Sequence, residues 1–436
     1  MLPGGSLVQG HLRELATDNL ALFQRCAERN GIVQFRVYWY RCHVVTDPEL
    51  AGAMLVAKSS AFMKTRALQV ARPTFGNGLV TAEGEAWRRQ QRLLRPFVTP
   101  RAASGYDALI ARAMDRKRAS WRTASIVDLH DEMVDVSLEV VCNGLFGVDA
   151  GEVQPLIRRA AAAVQQWHSD CQALCLPYPH YLPTPANIRY RSETRALDRA
   201  VYALIRRVRS GGGKGHALLG AMLDVRDEDG TPIRDEEIRD QVVTLFLAGH
   251  DTTASSLAFA LYELSYRPDL QARIALETRD GEQKSECLEH VIKETLRLYP
   301  AVHLVARTAL CDVELGRYLV RRGDEVVLPL YVMQRSPKLF RRPDEFEPER
   351  WAEGGGKAVC PRYAHLPFST GERVCVGQAI AMTELRSIIA TLLKDFRVEP
   401  LGPRAPRLDN RMTLTPARGS TRVRLVPASS SDSRTN

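Results

Sequence analysis

Pro367-Phe368-Ser369-Thr370-Gly371-Glu372-Arg373-Val374-Cys375-Val376-Gly377 contains one cysteine, with an arginine two residues before it and a phenylalanine seven before it. Glycines lie on both sides, and an apolar-periodic segment, 378–394, predicts a long helix directly after it. A lone cysteine is ordinarily a small buried hydrophobe. This setting differs, because a helix amino terminus favours the negative charge of a thiolate. Gly371 and Gly377 let the backbone turn and come close to a flat ligand. Phe368 can shield the sulfur from water, and Arg373 can pair with a carboxylate. The set suits Cys375 as the thiolate ligand to haem iron, with Arg373 on a haem propionate. Iron held by a thiolate favours O–O cleavage.

This stretch resembles the cysteine loop of the cytochrome P450 family of haem-thiolate monooxygenases, and the resemblance extends over roughly residues 31–426. Lys293-Glu294-Thr295-Leu296-Arg297 places Glu294 and Arg297 on one helix face. Phe346-Glu347-Pro348-Glu349-Arg350-Trp351 supplies Arg350. The resemblance implies a buried Glu294–Arg297–Arg350 triad that braces the cysteine loop. Ala248-Gly249-His250-Asp251-Thr252-Thr253 lies in the middle of a helical pattern at 235–266. A threonine there can simply bond the carbonyl four residues earlier and bend the helix. The resemblance implies instead an oxygen-binding groove: Ala248 and Gly249 face the haem, and Asp251 with Thr252 relays protons. Trp87, in the segment 76–92, is similar to a tryptophan that donates to a propionate. Four residues later the family has Arg or His. Here Gln91 stands there, so either one propionate contact is weakened or Arg92 substitutes from the next position. Arg307 matches another propionate-binding arginine.

The chain has 436 residues, 45% hydrophobic and 25% charged, with net charge +9. The haem-binding pieces are scattered from Trp87 to Cys375, so one catalytic domain is expected at 31–426. An amino-terminal segment at 1–30 and a disordered tail at 427–436 flank it. Arg209 to Gly215 reads as a flexible surface loop. No stretch approaches the ~20 apolar residues of a membrane span, and the start lacks a signal-peptide pattern. A cytoplasmic monomer without a membrane anchor is expected. The nine cysteines lack a secreted disulfide framework. No nucleic-acid motif accompanies the positive charge. Arg88, Arg89, Arg92 and Arg95 are dense enough for a docking patch that meets an acidic redox protein.

The coarse pattern is α-rich with small β-sheets, an α+β chain. The resemblance implies the cytochrome P450 fold, with haem b buried between the central helix and the cysteine-loop helix. Val33, Phe35, Val37 and Trp39 alternate as in a strand, and residues 326–330 read as another. Asp47-Pro48 reads as an N-cap and first helical residue. Helices are expected at 129–145, 197–208 and 217–223. Residues 167–185 hold four prolines and are expected to be irregular, near a substrate lid. The resemblance draws the substrate pocket from Phe62, Met63, Leu68, Phe75, Trp167, Leu245, Val302, Leu304 and Val305. Each is equally a candidate for ordinary core.

The activity implied is insertion of one atom of O2 into a hydrophobic small molecule such as a terpenoid, steroid, fatty acid or polyketide. Electrons would come from a separate ferredoxin or flavodoxin and its NAD(P)H reductase, since neither a flavin domain nor iron–sulfur cysteine spacing is present. The alternatives are a peroxygenase, an isomerase or dehydratase, and a non-catalytic haem sensor. The Asp251–Thr252 pair argues against all three.

Overall fold

Asp235–Ser265 forms a single helix of 31 residues, about 46 Å long at ~1.5 Å per residue. Its first turn is acidic, which suits the positive end of the helix dipole. Apolar residues surround it on nearly every side, the pattern of a helix in the core of a large domain. It packs against Leu129–Phe146, Pro185–Arg209, Glu286–Leu298 and Gln378–Asp395. The computed structural model describes residues 2–29, 31–123, 126–147, 150–174, 181–210, 217–226, 230–279, 285–352 and 359–428.

A five-stranded sheet flanks this helical body. Its order is Ile32–Val37, Tyr40–Val45, Glu325–Leu328, Val305–Ala309 and Phe62–Lys64, with one parallel pairing between Tyr40–Val45 and Glu325–Leu328. The last pairing sets Lys64 directly opposite Arg307. The first two strands join through Tyr38 and Trp39, with Tyr38 at φ 49°. Trp39 therefore lies at the hairpin tip, 70% exposed, and does not continue the strand. Asp47 caps Pro48–Gly52 as expected, accepting from the Glu49 and Leu50 amides. Leu12, Leu22, Phe23 and Cys26 of the amino-terminal segment pack with Val33 and Phe35 in one cluster.

The lid region differs from its expectation. Ala150–Leu174 is one helix that runs through Trp167 and Cys171. The four prolines at 177, 179, 183 and 185 all come later, so none of them breaks it. The next helix starts at Pro185, where Thr184 caps the Asn187 amide, twelve residues earlier than expected. Pro427 pairs with Phe396 at the edge of a three-stranded sheet, so the expected tail begins too early. Residues 429–436 of that tail, 211–216 of the expected loop and 175–180 of the lid lie outside the described residues.

Candidate active site

The cysteine loop closes on itself before the helix begins. The Cys375 amide donates to the Phe368 carbonyl at 2.9 Å. Amides of Gly377 and Gln378, at the start of Gln378–Asp395, point at the Cys375 sulfur. Burial pushes the Cys375 thiol up, and these two N–H groups pull it down. Cys375 lies deep among protein atoms, yet its side chain is solvent-accessible. A residue with both properties lines an internal chamber.

Gly371 has a cause other than close approach to a ligand. It sits at φ +75°, and a Cβ there would lie 2.3 Å from the Leu55 carbonyl. The glycine is required by packing against Ala53–Ala57. At Gly377 a Cβ would meet only the Cys375 sulfur, at 4.0 Å, so that side is open. Gln91 also departs from its expected role. Its carboxamide donates to the Glu372 carbonyl at 3.2 Å, so it braces the cysteine loop rather than a propionate. Arg92 is exposed and makes no hydrogen bond or ion pair among the described residues.

The central helix carries a second group of accessible residues. Between Gln241 and Ser265 only Ala248 is exposed, and only Leu245, Gly249, Asp251 and Thr252 are partly so. Residues 245, 248, 249 and 252 recur at helical spacing and form one stripe. A solvent-accessible stripe in the middle of a core helix means that the helix faces a cavity. The Thr252 hydroxyl donates to the Ala248 carbonyl at 3.1 Å. Its proton is thus committed, and its lone pairs can accept from a group in the chamber. Asp251 turns away from the stripe: its Oδ2 accepts from the Thr413 hydroxyl at 2.6 Å. A Cβ on Gly249 would meet only Val141, at 3.5 Å.

At the chamber's edge, positive charge outnumbers negative charge. Arg373 donates to Glu83 at 2.5 Å and lies 3.8 Å over the Trp87 ring. The Trp87 indole N–H makes no hydrogen bond among the described residues. Lys64, which the motifs did not flag, is buried and donates to the Leu79 and Ala82 carbonyls at 2.7 and 3.0 Å. Its signal in sequence terms is its register opposite Arg307, visible only once the strands are paired. Among the described residues, Arg307 donates only to the Ala306 carbonyl, at 2.9 Å. Burial, reinforced by Arg373, holds Lys64 down to about 7 and Arg307 down to about 10. Three cations, Lys64, Arg307 and Arg373, share one carboxylate, Glu83. This deficit of negative charge suits the two propionates that a haem carries. The sulfur with its two amides, the accessible stripe and this deficit all fit a haem.

The triad is assembled in full. Glu294 and Arg297 are completely buried, and Arg350 is nearly so. Glu294 accepts from Arg297 at 2.8 and 2.9 Å, Arg350 at 2.9 Å, the Trp351 indole at 2.9 Å and the Glu347 amide at 2.9 Å. Arg297 also donates to the Gln334 carbonyl, and the Gln334 side chain accepts from the Leu366 amide at 2.9 Å. That chain of bonds reaches the segment leading into the cysteine loop. His365 lies against the Trp351 ring, 4.8 Å between centroids.

The expected pocket residues separate into two groups. Val302 is 44% exposed, and Leu245 belongs to the accessible stripe. Leu68 is half-buried. Phe62 and Val305 pack in the core under the sheet, Phe75 in the main core, and Leu304 against the amino-terminal cluster. Met63 alternates with Lys64, so it faces away from the side on which Lys64 and Arg307 meet Arg373. Trp167 is buried and stacks on Tyr190 at 4.6 Å. These residues are packed among other apolar side chains, a setting that the same residue types take in a core or a pocket wall.

The sequence profile described as Cytochrome P450 matches residues 2–421. The chain is 31% identical to Cyclooctat-9-en-7-ol 5-monooxygenase of Streptomyces melanosporofaciens over 413 residues, covering 92% of this chain and 89% of that protein. It is 30% identical to Pentalenene oxygenase of Streptomyces avermitilis, covering 91% and 90%. Among solved structures, the cytochrome P450DA heme domain superposes with a TM-score of 0.86 at 26% identity, covering 98% of this chain and 97% of that one. The match spans nearly the whole chain, so this chain belongs to the cytochrome P450 family of haem-thiolate monooxygenases.

Proposed function

We propose that the chain inserts one oxygen atom of O2 into a terpenoid-like apolar molecule held against Leu245, Ala248 and Val302, the other atom leaving as water. The accessible stripe on the central helix carries this reading. The relatives named for cyclooctat-9-en-7-ol and pentalenene support the substrate class. Cys375 would hold the iron of haem b, and Lys64, Arg307, Arg373 and the Trp87 N–H its propionates. Haem, when bound, supplies the activation of O2. The chain's own residues exclude water, orient the substrate and handle protons. Asp251, at the turn beside Thr252, would pass protons along the helix. Thr252 would accept from the proton-bearing group in the chamber and hold it in place.

Thr252→Ala tests that role. It is expected to keep haem and substrate binding while diverting most reducing equivalents to peroxide. Product formed per NAD(P)H consumed is the measurement, and equal coupling in variant and parent refutes the role.

Electrons would come from a separate acidic protein such as a ferredoxin or flavodoxin, itself reduced by an NAD(P)H reductase. Arg88, Arg92 and Arg95 are exposed on the tryptophan-bearing helix Gly84–Leu94 and the turn after it. Arg89 is excluded from this patch, because it is half-buried and pairs with Glu237 at 2.8 Å on the central helix, whereas the Arg88 partner, Glu85, lies on its own exposed helix face. Reversing Arg88, Arg92 and Arg95 to Glu should slow reduction by the partner, most at low ionic strength, since exposed charges are screened by salt. Stopped-flow reduction at two salt concentrations checks it; unchanged rates at low salt place docking elsewhere. No described helix is long and apolar enough to cross a membrane.

A further inference from the structure

Asp251 faces His130, on a different helix, and that contact belongs to no motif. His130 sits in the first turn of Leu129–Phe146. Its Nε2 lies 3.9 Å from Asp251 Oδ1 and 3.3 Å from the Ser255 hydroxyl. The His130 side chain is 20% exposed and that of Asp251 15%. One ring thus touches both water and the carboxylate beside Thr252.

We infer that His130 is the proton inlet for Asp251: a positioning residue that carries protons from bulk water to the carboxylate. The proposal rests on the relay role of Asp251. In the step, the imidazolium gives its Nε2 proton to a bridging water, which passes one of its own to Asp251 Oδ1, since 3.9 Å is too long for a direct hydrogen bond. The carboxylate becomes neutral, and the ring is left neutral with its proton on Nδ1. A proton from bulk water then restores the imidazolium. No oxidant or reductant takes part.

The surroundings decide whether the ring can carry charge. A cation in the first turn of a helix opposes the dipole. Against that stand three carboxylates: Asp251, Asp409 and the capping Asp128. Asp409 is itself bound by Arg411 at 2.5 Å, so it offsets less. Asp131 follows in the same turn. Arg158 donates to the Asp131 carbonyl, and its charge is taken up by Asp135. His250, next to Asp251, is buried, which disfavours its charged form, and its Nδ1 is committed to the Phe246 carbonyl. It has no route to water and does not compete for the role.

The test compares holoenzyme carrying His130→Gln, Asp251→Asn or both, using a sesquiterpene hydrocarbon probe with a ferredoxin and its reductase. Both single variants should slow NAD(P)H consumption by less than the ~10²-fold that loss of a direct proton donor costs. The double variant should be no slower than Asp251→Asn. The parent rate should fall as pH rises, and His130→Gln should respond less. If Asp251→Asn is slow and His130→Gln keeps the parent rate and pH profile, the inlet is overturned while Asp251 stands. If neither is slow, the relay reading falls and takes the inlet with it. A second readout needs no turnover: a double-mutant cycle on the unfolding midpoint. The two substitutions should be non-additive at low pH, where a histidine carries charge, and additive at high pH. Additivity at both values overturns the contact, even where a variant is too unstable to assay.

Discussion

Cys375→Ser should eliminate partner-driven turnover, with the protein still folded. A serine hydroxyl has nearly the same shape, so the amides of Gly377 and Gln378 keep an acceptor. The triad and the loop hydrogen bond from Cys375 N to Phe368 O involve no sulfur and should survive. What is lost is the soft, anionic donor that pushes electron density onto iron. The reduced carbon monoxide complex should lose its red-shifted Soret band, while circular dichroism and the unfolding midpoint stay near the parent's. An unchanged spectrum would remove Cys375 from the metal.

Glu294→Ala should give almost no haem-loaded protein. Five donors converge on this carboxylate: Arg297 Nε and Nη2, Arg350 Nε, the Trp351 indole and the Glu347 amide. Removing it leaves the Arg297 guanidinium buried without an anion and Arg350 with only Glu347. Breaking a buried pair in this way costs about 3–5 kcal/mol, a large part of the ~5–15 kcal/mol that holds a domain folded. The damage would spread along Gln334 and Leu366 into the cysteine loop. Soluble yield and haem per chain are the measurements. Glu294→Gln keeps one oxygen acceptor and should lie between parent and Ala. Parent-like haem content in Glu294→Ala would show that the network does not support the loop.

Much of this site was legible in the sequence, because its chemistry is written in local spacing. Cys375 with Arg373 and Phe368, Glu294 with Arg297, and Asp251 with Thr252 are each read within one turn or loop. Long elements were legible for the same reason: the central helix was expected at 235–266 and occupies Asp235–Ser265. What escaped depends on pairing between distant segments. Lys64 gains its meaning from lying opposite Arg307 across a strand pair. Gln91 sits where a propionate ligand was expected, but the direction of its carboxamide, toward Glu372, is set by how two elements pack. Arg89 faced the docking patch in a one-helix view and faces Glu237 in three dimensions. The apolar residues divided between core and chamber could not be separated, because burial in either place selects the same side chains. The lid helix was cut short because prolines were weighed as a cluster rather than by position, and all four follow residue 176.

The most direct test of the account is the origin of the oxygen in the product. A panel of terpene hydrocarbons should be screened for the shift of the Soret band that marks displacement of water from iron. A compound that binds should then be turned over under oxygen-18 gas in ordinary water, with a ferredoxin and its reductase. The account predicts one labelled oxygen atom per product molecule, and no label when the isotope is supplied as water instead. Product that takes its oxygen from water, or that forms equally well without O2, would contradict it.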